Sequence, residues 1–262
     1  MGLKVLDLYQ VYKTAATVEF GIQTSTSLLF ETTGLKLKLL QNKCKNYNKS
    51  TILHEYIKLC FIEDNDYYFY KTPDDVIEGM FDLELLENQF YVYGIEIDFL
   101  VIRWDKEANC PITLPITVMR WYKKNRSKFK LLAEKICLDI FFVLFSNRNL
   151  LSEFNRMISE DFKNIKFAKH ALTKKGTIKR VNMPNWVKEA VFFRDRGHCV
   201  NCNKSLTGII NINDKKNYDH IVPLDLYGIN DPTNIQLLCF ECNNYKSNRN
   251  TESGKSYENW FN

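Results

Sequence analysis

Two Cys-x-x-Cys pairs constrain the fold of this chain more than any other feature of its sequence. The first pair is Cys199 and Cys202 and the second is Cys239 and Cys242, with 36 residues between the pairs. A short turn with this spacing presents two sulfur atoms to one metal ion, and two such turns complete the tetrahedral site that Zn²⁺ prefers. The sequence therefore predicts a structural zinc site made by these four thiolates.

The remaining four of the eight cysteines stand singly in the sequence. The N-terminus has an acidic residue early and no long apolar run, so it does not indicate a signal peptide, and we expect a cytoplasmic protein. Single cysteines in a reducing compartment are free thiols rather than halves of disulfides. The strongest apolar run, residues 140–145, is far shorter than the ~20 residues that cross a bilayer, so no membrane association is expected.

Basic residues are concentrated in the C-terminal part of the chain. Residues 1–163 carry 21 Lys and Arg against 22 Asp and Glu, whereas residues 164–262 carry 15 against 9. Positive charge of this kind supplies most of the non-specific affinity for the phosphate backbone of nucleic acids. The C-terminal part is therefore expected to bind a polyanion, and a solvated basic surface is the alternative.

Aromatic and β-branched residues are frequent in the N-terminal part. Such runs predict strands over residues 67–70, 89–104 and 112–122, and a helix is expected over residues 48–61. Together they predict a mixed α/β domain.

Apolar residues recur at three- and four-residue steps farther along the chain. The steps cover residues 127–145 and again 151–162, which predicts two amphipathic helices. A polar, basic segment, residues 169–184, indicates a linker. Pro184 then marks the start of another helix, which Gly197 ends.

These patterns predict an α+β protein of two domains. Residues 1–175 form a domain of unrecognised fold, with a role in recognition, sensing or interaction with a partner. Residues 176–262 form a small zinc-bound domain.

Polar residues suited to hydrolysis lie within and just after the 36-residue insert between the cysteine pairs. His220 directly follows Asp219, and Asn234 and Asn243 come later. Hydrolysis of a phosphodiester requires a water that is nucleophilic near neutral pH and a divalent cation that stabilises the pentacovalent phosphate. A histidine can accept the proton. On a strand the side chains of Asp219 and His220 point opposite ways, so both can serve only where the strand end twists or bulges.

The segments RDRGHCVNC, YDHIVPL and TNIQLLCFECNNYK together resemble the HNH endonuclease family, over about residues 184–250. The resemblance implies that residues 176–262 are a nuclease domain with a ββα-metal finger held between two zinc knuckles. It does not extend to residues 1–175.

The resemblance also assigns roles to single residues. It implies that His220 is the general base, that Asp219 and Asn243 bind a catalytic Mg²⁺ or Mn²⁺, and that Asn234 bridges the loop that orients His220. Asn243 stands where the family has the histidine of its name, and its side-chain oxygen suits a hard cation.

Two further residues near the motifs have open roles. Lys246 lies three residues after Asn243 on the same face of the expected helix, where it could contact a phosphate, and a solvated surface position is the alternative. His198 flanks the first cysteine pair, but four cysteines already complete a tetrahedral site, so we do not expect it to bind zinc.

These features predict a metal-dependent HNH endonuclease that hydrolyses DNA, with RNA as a second possible substrate, in restriction or phage defence. Two alternatives remain: a homing endonuclease of a mobile element, and a non-catalytic zinc module that only binds nucleic acid. A single HNH site cuts one strand, so residues 1–175 could also mediate homo-oligomerisation or bind a protein partner.

Overall fold

The structure is a computed structural model of the 262-residue chain, and it describes residues 9–24, 43–163, 172–207 and 218–246. Helices dominate the described residues up to position 163. Their bounds are α1 Tyr9–Gln23, α2 Ile52–Asp66, α3 Pro73–Ile77, α4 Leu83–Val92, α5 Pro115–Phe145 and α6 Arg148–Lys163.

The described strands are short and form two antiparallel pairs. Strand β1, Trp104–Asp105, pairs with β2, Cys110–Pro111. Near the C-terminus β3, Tyr218–His220, pairs with β4, Ile235–Leu237. Two helices flank the second pair in sequence, α7 at Asn185–Arg194 and α8 at Phe240–Lys246. The α+β prediction is confirmed.

The strands predicted from aromatic runs are wrong for most of their length. Residues Tyr67–Lys71 form a π-helical turn, residues 89–92 end α4, and the third run lies mostly in α5. The reason is visible in the packing, because the ring of Phe69 stacks on Tyr122 of α5 at 4.9 Å between ring centres. Aromatic residues suit a buried helix face as well as a strand, and a short apolar run does not distinguish the two.

The helix predictions are confirmed. Helix α2 covers the expected region near residues 48–61, and α5 and α6 cover the two periodic stretches. Most of the periodic residues of both stretches are buried. Pro184 caps α7, and Gly197 adopts a left-handed conformation with φ of 64° shortly after that helix ends.

Backbone proximity divides the chain into two compact units. One comprises the described parts of residues 1–18 and 56–142, and the other those of residues 19–55 and 143–262. The segment expected to be a linker has packed residues, since Thr177 and Ile178 are buried. The domain boundary near residue 175 stays a prediction. No helix in the described ranges is long and apolar enough to cross a bilayer.

Candidate metal centre and catalytic site

The four cysteines of the two pairs converge on one point. Their sulfur atoms all lie within 4.8 Å of one another, and the sulfurs of Cys202 and Cys239 are 3.7 Å apart. A tetrahedron with Zn–S bonds of ~2.3 Å has edges of about 3.8 Å. The arrangement therefore fits a tetrahedral zinc ion, and the chain has a four-cysteine metal site. The His198 ring is not part of this cluster, because its Nδ1 lies 2.7 Å from the carbonyl oxygen of Arg196.

Each cysteine pair sits on a tight turn. In the first, the amide of Asn203, whose φ is 59°, donates to the carbonyl of Cys199 at 2.9 Å. In the second, the amide of Cys242 donates to the sulfur of Cys239 at 3.4 Å. An amide that donates to sulfur, as that of Cys242 does, stabilises a thiolate. Helix α8 begins within the second turn.

A buried ion pair joins α7 to strand β4. Arg194 donates two hydrogen bonds to the carboxylate of Asp195, at 2.8 and 2.9 Å, and a third to the carbonyl of Ile235 at 2.6 Å. Asp195 accepts the backbone amide of Leu237 at 2.9 Å. Because both charged side chains are almost fully buried, this network fixes the strand that pairs with β3.

The β3–β4 pair positions the Asp-His dipeptide. Asp219 lies opposite Gln236, and His220 lies opposite Ile235 at the end of the three-residue strand. The two side chains leave the strand toward different surroundings, as alternation along a strand requires. The Asp219 carboxylate meets α8, whereas the His220 ring meets Tyr47 and the loops after the strands.

His220 is buried, with 2% of its surface exposed. Its Nε2 atom lies 3.5 Å from the hydroxyl of Tyr47. Burial, and secondarily the Arg180 guanidinium, lower the pKa of His220 to about 4. The negative charge of Asp219, and after it the interaction with Asn230, oppose this lowering of the pKa. The net result is a neutral imidazole at pH 7.

Asn230 donates three hydrogen bonds to backbone carbonyl groups. It is fully buried, and its amide nitrogen donates to the carbonyls of Lys45 at 3.0 Å and Lys179 at 2.8 Å. Its backbone amide donates to the carbonyl of Cys44 at 3.2 Å. The side chain next to His220 is therefore positioned by two segments outside the cysteine-bounded region.

Asn234 ties together the loop that follows His220. Its Oδ1 accepts the amide of Val222 at 2.8 Å, and its Nδ2 donates to the carbonyls of Val222 and Ile229, both at 3.0 Å. The same loop comes so close to itself at Gly228 that an added Cβ would lie 1.9 Å from the carbonyl oxygen of Val222. The backbone immediately after His220 is thus held by side-chain hydrogen bonds in a fixed path.

Lys246 lies beneath the strand that carries the Asp-His dipeptide. Only 7% of this lysine is exposed. Its ammonium donates to Oδ2 of Asp219 at 2.7 Å and to the carbonyl of His220 at 2.5 Å. Asn243 lies in the first turn of α8, three residues before Lys246, and its backbone amide donates to the carbonyl of Cys239 at 2.9 Å.

A cavity of about 520 Å³ opens beside His220. Arg180 and Lys188 contribute positive charge to its wall, Tyr47 and Tyr218 contribute phenol rings, and no carboxylate of the described residues lines it. A cavity with two cations and no anion favours a negatively charged ligand. The sequence did not point to Tyr47, Arg180 or Asn230, because no motif or spacing links them to His220.

Comparison with known families supports the expected resemblance. Residues 199–249 match the family model described as HNH endonuclease. No curated protein and no solved structure matches the chain. The match contains the four-cysteine cluster, so the protein has an HNH domain at its C-terminus, a type of domain that implies binding to nucleic acid.

Proposed function

We propose that the C-terminal domain is a metal-dependent endonuclease that hydrolyses phosphodiester bonds of DNA. The observation that carries this proposal is the setting of His220, a buried imidazole with a pKa of about 4 that lines a cavity together with Arg180 and Lys188. A histidine that is neutral at pH 7 has a nitrogen lone pair ready to accept a proton. The cationic wall would hold the phosphate next to that nitrogen.

In the proposed reaction, Nε2 of His220 accepts a proton from a water molecule. The water oxygen forms a bond to phosphorus, the bond from phosphorus to the leaving sugar oxygen breaks, and that oxygen takes a proton from solvent. Arg180 would bind non-bridging phosphate oxygens, because its planar guanidinium presents several donors to them. Asn234 would keep His220 in place by fixing the backbone at Val222.

Asp219 and Asn243 would hold a catalytic Mg²⁺ or Mn²⁺, as predicted from the resemblance. Both offer the oxygen ligands that hard cations prefer, and a cation held there would stabilise negative charge on a phosphate. Asp219 does not line the cavity beside His220, so the cation and His220 would act on the same phosphate only where the end of β3 twists. The Lys246 ammonium donates to Oδ2 of Asp219, so it would compete with a cation for this carboxylate. The contact of Lys246 with a phosphate stays a prediction. The four cysteines would hold a structural Zn²⁺.

For the biological role we propose restriction or phage defence, with residues 1–175 selecting the target. A second candidate function is a zinc module that binds nucleic acid without cutting it. The contact between Lys246 and Asp219 favours this second candidate, because the lysine ammonium competes with a divalent cation for the carboxylate.

Cleavage of supercoiled plasmid DNA with Mg²⁺ or Mn²⁺ tests the proposal. The wild type, His220→Ala and His198→Ala would be compared after zinc analysis shows one ion per chain in each. We expect nicking by the wild type and by His198→Ala, and none by His220→Ala. Equal nicking by all three would exclude His220 as the base, and binding of DNA without nicking across plasmid substrates would favour the zinc module.

A further inference from the structure

A second cavity, of about 140 Å³, lies within the first unit, among α1, α2 and α4. It is separate from the HNH domain in sequence and shares no residue with the candidate site around His220. Its wall combines buried polar side chains and aromatic rings with three charged side chains, Lys13, Asp64 and Asp82. The polar side chains are Thr14, Asn65 and Gln89, and the rings are those of Phe61, Tyr68 and Phe81.

Gln89 is the most unusual member of this wall. Only 6% of the residue is exposed. Among the described residues, neither its Nε2 nor its Oε1 has a hydrogen-bond partner. A buried carboxamide with both ends unsatisfied carries one donor and one acceptor side by side toward the same region.

Asn65 adds a third unsatisfied atom. The residue is 3% exposed, and its Nδ2 donates to the carbonyl of Phe61, one turn earlier in α2, at 2.7 Å. This hydrogen bond assigns the nitrogen, and therefore the oxygen, of the Asn65 carboxamide. Its Oδ1 has no hydrogen-bond partner in the described part of the chain.

Unsatisfied buried polar atoms are costly, and folded proteins rarely keep them. More than about 90% of such groups are paired, and each one left alone costs about 1–3 kcal/mol. Three orphan atoms on two residues that line one cavity therefore indicate partners other than the described residues, and we take these partners to occupy the cavity. Those partners are either water molecules or a bound ligand.

The size of the cavity and the chemistry of its wall favour a bound ligand over water molecules alone. A cavity of ~150 Å³ is large enough for a six-membered ring. The rings of Tyr68 and Phe81, whose centres are 4.8 Å apart, provide apolar walls that suit a planar ligand. A carboxamide pairs with an adjacent donor and acceptor on a base edge, as glutamine does with bases in DNA recognition.

We propose that this cavity binds a single pyrimidine-class heterocycle, in which Gln89 pairs with an adjacent C=O and N–H of the ring and Asn65 accepts a second N–H. Uracil has this set of groups, with N–H and C=O alternating along its edge. The site does not depend on the nuclease activity. It would give the first unit a small-molecule binding function of its own.

Calorimetric titration of the full-length protein with uracil, thymine and cytosine tests the proposal directly, and thermal melting supports it. We expect uracil to bind with a dissociation constant below about 1 mM, since a ring with eight heavy atoms can supply several kcal/mol, and to raise the melting temperature. Gln89→Leu should weaken binding more than tenfold. Its unliganded melting temperature should equal or exceed that of the wild type, because the substitution removes two orphan atoms at similar volume.

Asn88→Ala, an exposed position on the same helix, is the matched control and should bind as the wild type does. Asn65→Leu provides a second variant if Gln89→Leu does not fold. Absence of heat and of a melting shift with all three bases at millimolar concentration would overturn the proposal and leave a hydrated cavity. Unchanged binding in a folded Gln89→Leu or Asn65→Leu variant would overturn it too.

Discussion

The hydroxyl of Tyr47 lies 3.5 Å from Nε2 of His220, although 173 residues separate the two in sequence. The ring of Tyr47 also packs on the hydrophobic core of the C-terminal domain. Nearby, the amide of Ile52 donates to Oδ2 of Asp231 at 3.1 Å. Residues 43–52 are therefore part of the site that the HNH domain builds, although they lie far upstream of the family match.

Tyr47→Phe tests whether the hydroxyl contributes to the proposed reaction. The substitution keeps the ring in the core and removes one hydrogen bond of ~1 kcal/mol at Nε2 of His220, the proposed base, so we expect the cleavage rate to fall about fivefold to tenfold. The melting temperature should change little. Nicking rates and melting curves measure both, with Tyr91→Phe, at an exposed tyrosine, as control. An equal rate for Tyr47→Phe and the wild type would show that the hydroxyl is not used.

Arg180→Ala tests the cationic wall beside His220. Loss of one phosphate contact should raise KM about tenfold and reduce the slope of log affinity against log salt by about one. Arg180→Lys should restore part of the affinity, because the charge remains while the planar fork is lost. Fluorescence anisotropy with labelled DNA at several salt concentrations measures the slope.

Lys175→Ala is the control for this experiment, because it removes an exposed charge from the same segment. Its effect on KM and on the salt slope should be small. Equal effects of the two alanine substitutions would mean that Arg180 acts only as general surface charge.

The sequence predicted those parts of the site that depend on local spacing. The four cysteines are predictable because each Cys-x-x-Cys turn brings two ligands together without help from the rest of the fold. The helix over residues 127–145 is predictable because its apolar stripe follows the helical period. Tyr47 and Arg180 were missed because only tertiary packing brings them to His220, and the aromatic run at residues 67–70 was misassigned because its rings pack among helices.

Lys246→Met tests the buried ion pair under the Asp-His dipeptide. The substitution leaves the Asp219 carboxylate, whose side chain is 18% exposed, without its cation. We expect a loss of about 1–3 kcal/mol in the free energy of unfolding, less than for a fully buried pair because solvent reaches the carboxylate. Urea denaturation with zinc in excess measures this loss.

Lys204→Met provides the comparison for the ion-pair experiment. Lys204 and Glu241 are 3.8 Å apart and both exposed, so the loss of this pair should barely change the free energy of unfolding. If Lys246→Met also proves neutral, the contact between the ammonium and Asp219 contributes no net stability to the domain.

Cys239→Ser tests the four-cysteine metal site. Its sulfur lies 3.7 Å from that of Cys202 and accepts the amide of Cys242 at 3.4 Å, so the substitution removes one ligand and disturbs the second turn. Because Cys239 is also part of the hydrophobic core of the domain, loss of the metal should unfold the region around β3 and β4 rather than only empty the site. We expect zinc content to fall from one ion per chain toward zero, since binding of a structural zinc is coupled to folding.

Cys110→Ser separates the metal effect from the general effect of replacing a thiol. Cys110 is an exposed cysteine outside the cluster, and its replacement should leave zinc content and melting temperature unchanged. Chelation of the wild type with a strong zinc ligand should reproduce the melting curve of Cys239→Ser, because both remove the same cross-link between the two turns. A Cys239→Ser protein that retains one zinc ion and the wild-type melting temperature would contradict the assignment of this cluster as the structural metal site.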